Sequence, residues 1–203
     1  EPFLQRAEIK EVTPDVQLLE GNLGLDFFLA PPSSNIYILR DQDLVFMLDS
    51  GLHPFYRERM LKVLEKHRRD GARRLVFMVS QGHWDHALNN DVILESGYDE
   101  IRFLLPESEI KVIESIPHWL ADFRRQKDFF EPNWGAWINL LVQFEEYAGK
   151  FEAYGEVHYQ TVWEAIQRAR ANPNEQTLMV ALKLFGEKVL FSEYRSLAEY
   201  AEI

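Results

Sequence analysis

The chain has 203 residues, of which 46% are hydrophobic and 27% charged, and this length and composition fit one substantial globular domain. Its net charge of −11 argues against nucleic acid or an anionic membrane surface as the main partner. Because it contains no cysteine, a metal site would have to use nitrogen and oxygen ligands. The longest apolar run, Leu75–Val79, is far too short to span a bilayer, and no signal-peptide core is visible, so we expect a cytoplasmic protein.

The first half of the chain predicts strands followed by a helix. NIYIL and LVFML, at 35–39 and 44–48, flank the polar residues RDQD and predict an antiparallel hairpin. Apolar residues recur at helical spacing over 56–67 and predict an amphipathic helix that is closed by Gly71. LVFMVS, at 75–80, then predicts a strand buried on both faces. The order strand, helix, buried strand is typical of an α/β layer architecture.

The second half predicts further alternation of helices and strands. ALNNDVILES predicts a short helix over 87–96, and IRFLLP predicts another buried strand over 101–106. VWEAIQRARAN predicts a helix over 162–172. TLMVALKLFGEKVLFSEY predicts a second hairpin over 177–194, with its turn near 185–188.

Residues 107–151 differ from the rest because they are rich in helical and aromatic segments. Breaks at Pro117 and Pro132 predict three helices. We expect the last helix to pack its apolar stripe against another helix or a second subunit, because so much apolar area would otherwise face water. This stripe consists of Trp134, Trp137, Leu141, Phe144 and Ala148.

Four polar side chains follow the strand at 75–80, namely Gln81, His83, Asp85 and His86. The first three project to the same side of an extended chain, and His86 at the start of the next helix can swing back over them. Imidazole and carboxylate groups are ligands for zinc, iron or manganese. An isolated histidine is more often a hydrogen-bonded structural residue, but two histidines and an aspartate within four residues favour a metal site.

The segment SQGHWDH, at 80–86, resembles the His-any-His-any-Asp-His signature of the metallo-β-lactamase fold superfamily. NIYILRDQDLVFMLDSG, at 35–51, is similar to that superfamily's opening hairpin with its Asp-Thr-Gly or Asp-Ser-Gly end. VLFSEY, at 189–194, resembles the later strand that normally ends in Gly-Asp. The resemblance implies a single domain over 1–203 of the α/β (α+β) class. Its fold would be an αββα sandwich with a helical insertion at about 107–151.

The resemblance also implies roles for individual residues. By position, His83 would hold a first metal ion, and Asp85 and His86 a second, with Asp85 as the candidate catalytic residue. His158 is the candidate for the middle ligand. Asp49 would be either a carboxylate supporting the site or a residue that forms the turn at the strand end. In this family a metal-bound hydroxide attacks an ester, thioester, amide, lactone or phosphodiester bond, because the ion lowers the pKa of bound water to roughly 7.

The chain departs from the family pattern at two ligand positions. Gln81 replaces the first histidine of the motif, and Glu193-Tyr194 replaces the Gly-Asp that normally supplies a bridging carboxylate. An amide oxygen is a neutral and weaker metal ligand than imidazole. We therefore expect at most one ion, which would be zinc, iron or manganese, bound weakly or not at all.

Two functions of different class remain open. The first is a metal-dependent hydrolase with a reduced ligand set, acting on a small-molecule substrate. The second is a non-catalytic relative that uses the fold for binding or oligomeric assembly. The aromatic insertion would serve as a lid, as a homo-oligomer interface or simply as extra core. Neither nucleic acid nor a membrane is expected as a partner.

Overall fold

The computed structural model describes residues 8–21, 33–109, 137–143 and 156–187, except for the side chains of 156–159. These residues form a mixed α/β structure with a six-stranded sheet and several helices. The strands are β1 (Ile9–Thr13), β2 (Val16–Leu19), β3 (Ile36–Asp41), β4 (Leu44–Leu48), β5 (Arg74–Met78) and β6 (Glu100–Leu104). The helices include α1 (Tyr56–Arg69), α2 (Trp84–Ala87), α3 (Val92–Glu95), α4 (Glu156–Ala171) and α5 (Glu175–Phe185), and residues 107–109 and 137–143 are helical as well. Among the described helices, none is both long and apolar enough to cross a membrane.

The sheet changes from antiparallel to parallel at its centre. Strands β1 to β4 pair antiparallel in chain order, and β4, β5 and β6 pair parallel. Parallel neighbours require a crossover connection, and α1 makes the one between β4 and β5. The carboxyl ends of β4 and β5 therefore lie side by side. We call this side of the sheet, where the parallel strands end, the sheet edge. The predicted hairpin, helix and following strand of the first half are confirmed, but β5 is fully buried on one face only, because Leu75 and Phe77 are buried whereas Val76 and Met78 on the other face are partly exposed.

A first core joins the sheet to α1. Ile38, Met47 and Phe77 from the strands and Met60 and Leu64 from the helix are fully buried in one cluster. Burying each such side chain contributes about 1.5–3 kcal/mol to stability. This core holds β4 and β5 rigidly, and with them the chain segments that leave their carboxyl ends.

A second core consists of helices and contains part of the predicted aromatic stripe. Trp137 and Leu141 are buried against apolar residues of α4 and α5, so the expected packing of the stripe on other helices is confirmed for these two. The other stripe positions lie outside the described residues. A homo-oligomer formed through this region stays a prediction.

The predicted second hairpin is wrong over residues 177–185, which belong to helix α5. The buried residues Leu178, Leu182 and Phe185 fall at the four- and three-residue spacing of one helical face. Asn174 begins the helix with a capping box, because its Oδ1 accepts from the Thr177 N–H at 3.0 Å and the Thr177 hydroxyl accepts from the Asn174 N–H. All the strands that the structure describes therefore belong to the single sheet of β1 to β6.

The predicted helix over 87–96 also differs from the structure. Two short helices, α2 and α3, flank a turn there. The turn contains Asn89 and Asn90, both fully buried. Their side chains hydrogen-bond to the loop that follows β4, and this use of polar groups competes with a continuous helix.

We expect Asn174→Ala to lower the free energy of unfolding by about 1 kcal/mol, because the Thr177 N–H at the start of α5 loses its acceptor. Urea unfolding followed by circular dichroism measures the change. Gln176→Ala, on the exposed side of the same helical turn, is the matched control and should change stability by less than about 0.5 kcal/mol. Equal stability of Asn174→Ala and wild type would contradict the capping box.

Candidate functional site

Asp49 joins the carboxyl ends of β4 and β5. Its buried carboxylate accepts hydrogen bonds from the Ser80 N–H at 2.7 Å and the Ser80 hydroxyl at 2.9 Å. Its own N–H donates to the Met78 carbonyl at 2.9 Å. The backbone of Asp49 has φ +61°, in the left-handed region that aspartate tolerates better than most residues. This turn orients the carboxylate towards Ser80, in the segment that follows β5.

Helix α2 brings His86 back onto Asp49. The two side chains meet at 2.8 Å, between His86 Nδ1 and Asp49 Oδ2. On the other side of the ring, His86 Nε2 lies 3.3 Å from Asp85 Oδ2 and 2.6 Å from the Gln81 amide. The structure therefore brings together Asp49, Gln81, Asp85 and His86, which we call the edge cluster.

The edge cluster favours a protonated His86. Partial burial alone would lower the pKa of His86, but the hydrogen bonds to Asp49 and Asp85 and the charges of both carboxylates outweigh it and raise the pKa to about 9. An imidazolium donates from both ring nitrogens. The Gln81 contact is then satisfied when the amide presents its oxygen to Nε2, an orientation that the hydrogen-bond network decides.

Ser80, His86 and Asp49 have the residue types of a hydrolase triad but not its geometry. In such a triad the serine hydroxyl and the carboxylate contact opposite nitrogens of the ring. Here the Ser80 hydroxyl lies 3.1 Å from His86 Nδ1, on the same side as Asp49, and donates to the Asp49 carboxylate. His86 is therefore not placed to take a proton from Ser80.

The two remaining candidate ligands lie apart from these contacts. His83 is exposed at the N-terminal cap of α2, and its side chain makes no hydrogen bond or ion pair with the rest of the described chain. Position 158 falls in the first turn of α4, and its side chain lies outside the described residues. Glu193 and Tyr194 lie outside them as well.

Two of the side chains in the edge cluster, Asp85 and His86, are spaced to bind one metal ion, but Gln81 is not. Two ligands of a tetrahedral zinc ion, each about 2.1 Å from it, are separated by about 3.4 Å. The 3.3 Å between His86 Nε2 and Asp85 Oδ2 suits a shared ion, with Asp49 fixing the ring tautomer from behind. The 2.6 Å contact of Gln81 is too short for a further ligand of the same ion. Over the described ranges, no group of three or more His, Asp or Glu residues is arranged to hold a metal.

Sequence reasoning missed three polar residues around the edge cluster. Glu109 accepts a hydrogen bond from the Gly82 N–H at 2.9 Å, and Ser50 and Asn89 are buried directly behind the cluster. The available signal for Glu109 was its position just after β6, where a polar side chain reaches the same sheet edge as the residues after β5. Ser50 and Asn89 carry no comparable local signal, because their partners are distant in the sequence.

Comparison with protein-family models gives no match, and comparison with curated proteins gives none either. The contacts of the edge cluster and the topology of the sheet are therefore the basis for a functional proposal.

Proposed function

We propose that this chain is a hydrolase-like relative of the metallo-β-lactamase fold superfamily whose edge cluster binds at most one metal ion, and binds it weakly. The observation that carries the proposal is the arrangement of Asp49, His86 and Asp85. One carboxylate fixes the ring through Nδ1, and the other lies 3.3 Å from the opposite nitrogen. Metal-binding histidines commonly have such a carboxylate on the nitrogen that does not bind the ion.

The position of the cluster in the fold also supports the proposal. It follows a hairpin, a crossover helix and a buried strand in the order that the resemblance implies. Open α/β sheets commonly bind ligands at the carboxyl ends of their strands. The αββα sandwich is part of the proposal, whereas the strands that the structure describes form one sheet.

The chemistry assigned to the residues follows from their contacts. His86 Nε2 and Asp85 would hold the ion, which when bound would act as a Lewis acid and lower the pKa of water. Asp49 orients His86, and Ser80 in turn orients Asp49. Asp85 is half-buried, so its carboxylate reaches solvent and is available to accept a proton from an attacking water.

A second function, a non-catalytic relative that uses the fold for binding or assembly, is favoured by one contact. The Gln81 amide at 2.6 Å from His86 Nε2 leaves both ring nitrogens hydrogen-bonded within the protein. An ion would have to displace this contact before it reached the histidine. The two functions predict different metal contents and different activities.

Metal content and hydrolysis test the two functions directly. We expect purified protein to contain less than one ion per chain, and we expect added zinc or manganese to bind weakly in calorimetry. Ester, thioester, amide, lactone and phosphodiester substrates are then assayed with and without each metal. Metal-stimulated hydrolysis that His86→Ala abolishes supports the hydrolase. Absence of both binding and hydrolysis supports the non-catalytic relative, and two tightly bound ions per chain would contradict the proposed ligand set.

We expect Gln81→His to raise zinc affinity about tenfold or more, because imidazole is a stronger ligand than an amide and the short contact with His86 is replaced. Isothermal titration calorimetry measures the change. Gln176→His, on the exposed surface of α5, is the matched control for an added histidine and should leave the affinity unchanged. Equal affinities for Gln81→His and the control would mean that residue 81 does not face the ion.

A further inference from the structure

A buried polar network lies directly behind the edge cluster. Asn89 is fully buried, and its Nδ2 donates to the carbonyl oxygens of Ser50 at 3.0 Å and His53 at 3.2 Å. The same nitrogen lies 3.4 Å from the Gly51 carbonyl. Since only the NH₂ end of the amide donates to carbonyls, the orientation of Asn89 is determined. One side chain thus contacts the carbonyl oxygens of three residues in the loop that follows β4.

Backbone contacts reinforce this connection. The Ser50 N–H donates to the His86 carbonyl at 2.7 Å, and the Leu88 N–H donates to the Gly51 carbonyl at 3.1 Å. The Ser50 hydroxyl accepts from the Asn89 N–H at 3.1 Å and donates to Asn90 Oδ1 at 2.8 Å. The loop after β4 and the chain after α2 are therefore held together as one unit.

This unit determines where Asp49 and His86 meet. Asp49 directly precedes Ser50, and His86 lies three residues before Asn89. Asp49 and Gly51 both have left-handed backbones, at φ +61° and +70°. Glycine adopts this conformation freely, but in Asp49 it persists only when the surrounding contacts over-determine it, and the bonds from Asn89 to the carbonyls of Ser50 and Gly51 add such contacts next to Asp49.

We infer that Asn89 is a positioning residue, which acts through Ser50 and the loop after β4 to hold the Asp49 carboxylate on Nδ1 of His86. The inference deepens the proposed function and rests on it for its metal-binding consequence. Its structural part, the hydrogen bond between Asp49 and His86, does not depend on any metal.

The first measurement reads this hydrogen bond directly. In protein with ¹⁵N-labelled histidine, NMR should detect a low-field, slowly exchanging Nδ1–H proton of His86 in the wild type. Asn89→Ala should lose this signal while remaining folded. Leu75→Ala, a core variant at the opposite end of β5, is the control that loses stability but should keep the signal. A folded Asn89→Ala protein that keeps the signal, or a wild type that lacks it, would overturn the inference.

A second variant covers the case in which Asn89→Ala does not fold. Asn89→Ser replaces the amide by a shorter hydroxyl with a single O–H donor, which cannot donate to the carbonyls of Ser50 and His53 together, and it should weaken or abolish the His86 signal by the same criterion. Retention of the full wild-type signal in folded Asn89→Ser would then overturn the inference.

Zinc calorimetry separates this inference from the proposed function. If the wild type binds zinc, Asn89→Ala should bind it about 10–100-fold more weakly, whereas Leu75→Ala should bind it normally. If the wild type binds no zinc, the metal part of the proposed function fails. The NMR result still decides whether Asn89 positions Asp49 on His86.

Discussion

Phe185→Ala is expected to lower the free energy of unfolding by about 3–5 kcal/mol, because it removes a fully buried ring from the helical core. The ring packs 5.7 Å from that of Trp84, which belongs to α2 beside Asp85 and His86. Its loss should therefore also loosen the short helix that carries the edge cluster. Urea unfolding measures the stability, and the intrinsic fluorescence of tryptophan reports the change around Trp84.

Val180→Ala is the matched control for this substitution. Val180 lies on the opposite face of α5 with 49% of its surface exposed, so its truncation should change stability by less than about 0.5 kcal/mol. If residues 177–194 formed the hairpin expected from the sequence, Phe185 would lie at its turn and would tolerate alanine. Similar small effects of both substitutions would therefore contradict the helical packing.

The hairpin prediction failed because the local pattern over 177–185 is ambiguous. TLMVALKLF is apolar at nearly every position, and a short apolar run does not distinguish a buried helix from a buried strand by periodicity. Gly186 lies within the turn that the pattern predicts, although in the structure it follows the helix as its C-terminal cap. The better signal was Asn174 before Thr177, the pattern of a helix N-terminus. By contrast, the hairpin of β3 and β4 and the amphipathic α1 have strong local patterns and were predicted correctly.

The sequence predicted the position of the edge cluster better than its contacts. Asp85 and His86 follow a buried strand, and chain order alone places them at the sheet edge near Asp49. That the Gln81 amide would contact His86 Nε2 depends on the fold of the turn after β5, which has no periodic pattern. The support from Asn89 depends on pairing with a loop about 38 residues away in the chain, a tertiary contact that a local pattern does not encode.

The protonation of His86 predicts a specific dependence of stability on pH. Its pKa is raised to about 9 in the folded protein, above the 6.5 of an unperturbed histidine, so the folded state binds this proton more tightly than the unfolded state. The resulting stabilisation is complete below pH 6.5 and is lost as the pH rises through 9. Burial lowers the pKa of His67, so its contribution to the pH dependence of stability lies below pH 6.5, where stability is lost as the pH falls. Burial raises the pKa of Tyr56 and Tyr98 to about 12, and their effect begins only above pH 10.

Asp49→Asn should lower the pKa of His86 from about 9 toward 6.5, because the carboxylate charge on Nδ1 is removed while asparagine still tolerates the left-handed backbone. An NMR titration of the imidazole C–H signals measures the pKa. Urea unfolding at several values between pH 6.5 and 9 should show a smaller loss of stability than in the wild type.

Asp43→Asn is the control for the loss of a carboxylate. Asp43 is exposed and pairs with Arg74 at the amino end of β5, away from His86, so the pKa of His86 should not change. Because a metal ion competes with the proton for Nε2, zinc affinity in the wild type should also rise with pH up to about 9. In Asp49→Asn this rise should be complete at a lower pH. A wild-type His86 that titrates near 6.5 would mean that Asp49 and Asp85 do not hold the ring, and the edge cluster would lose its role as an oriented ligand pair.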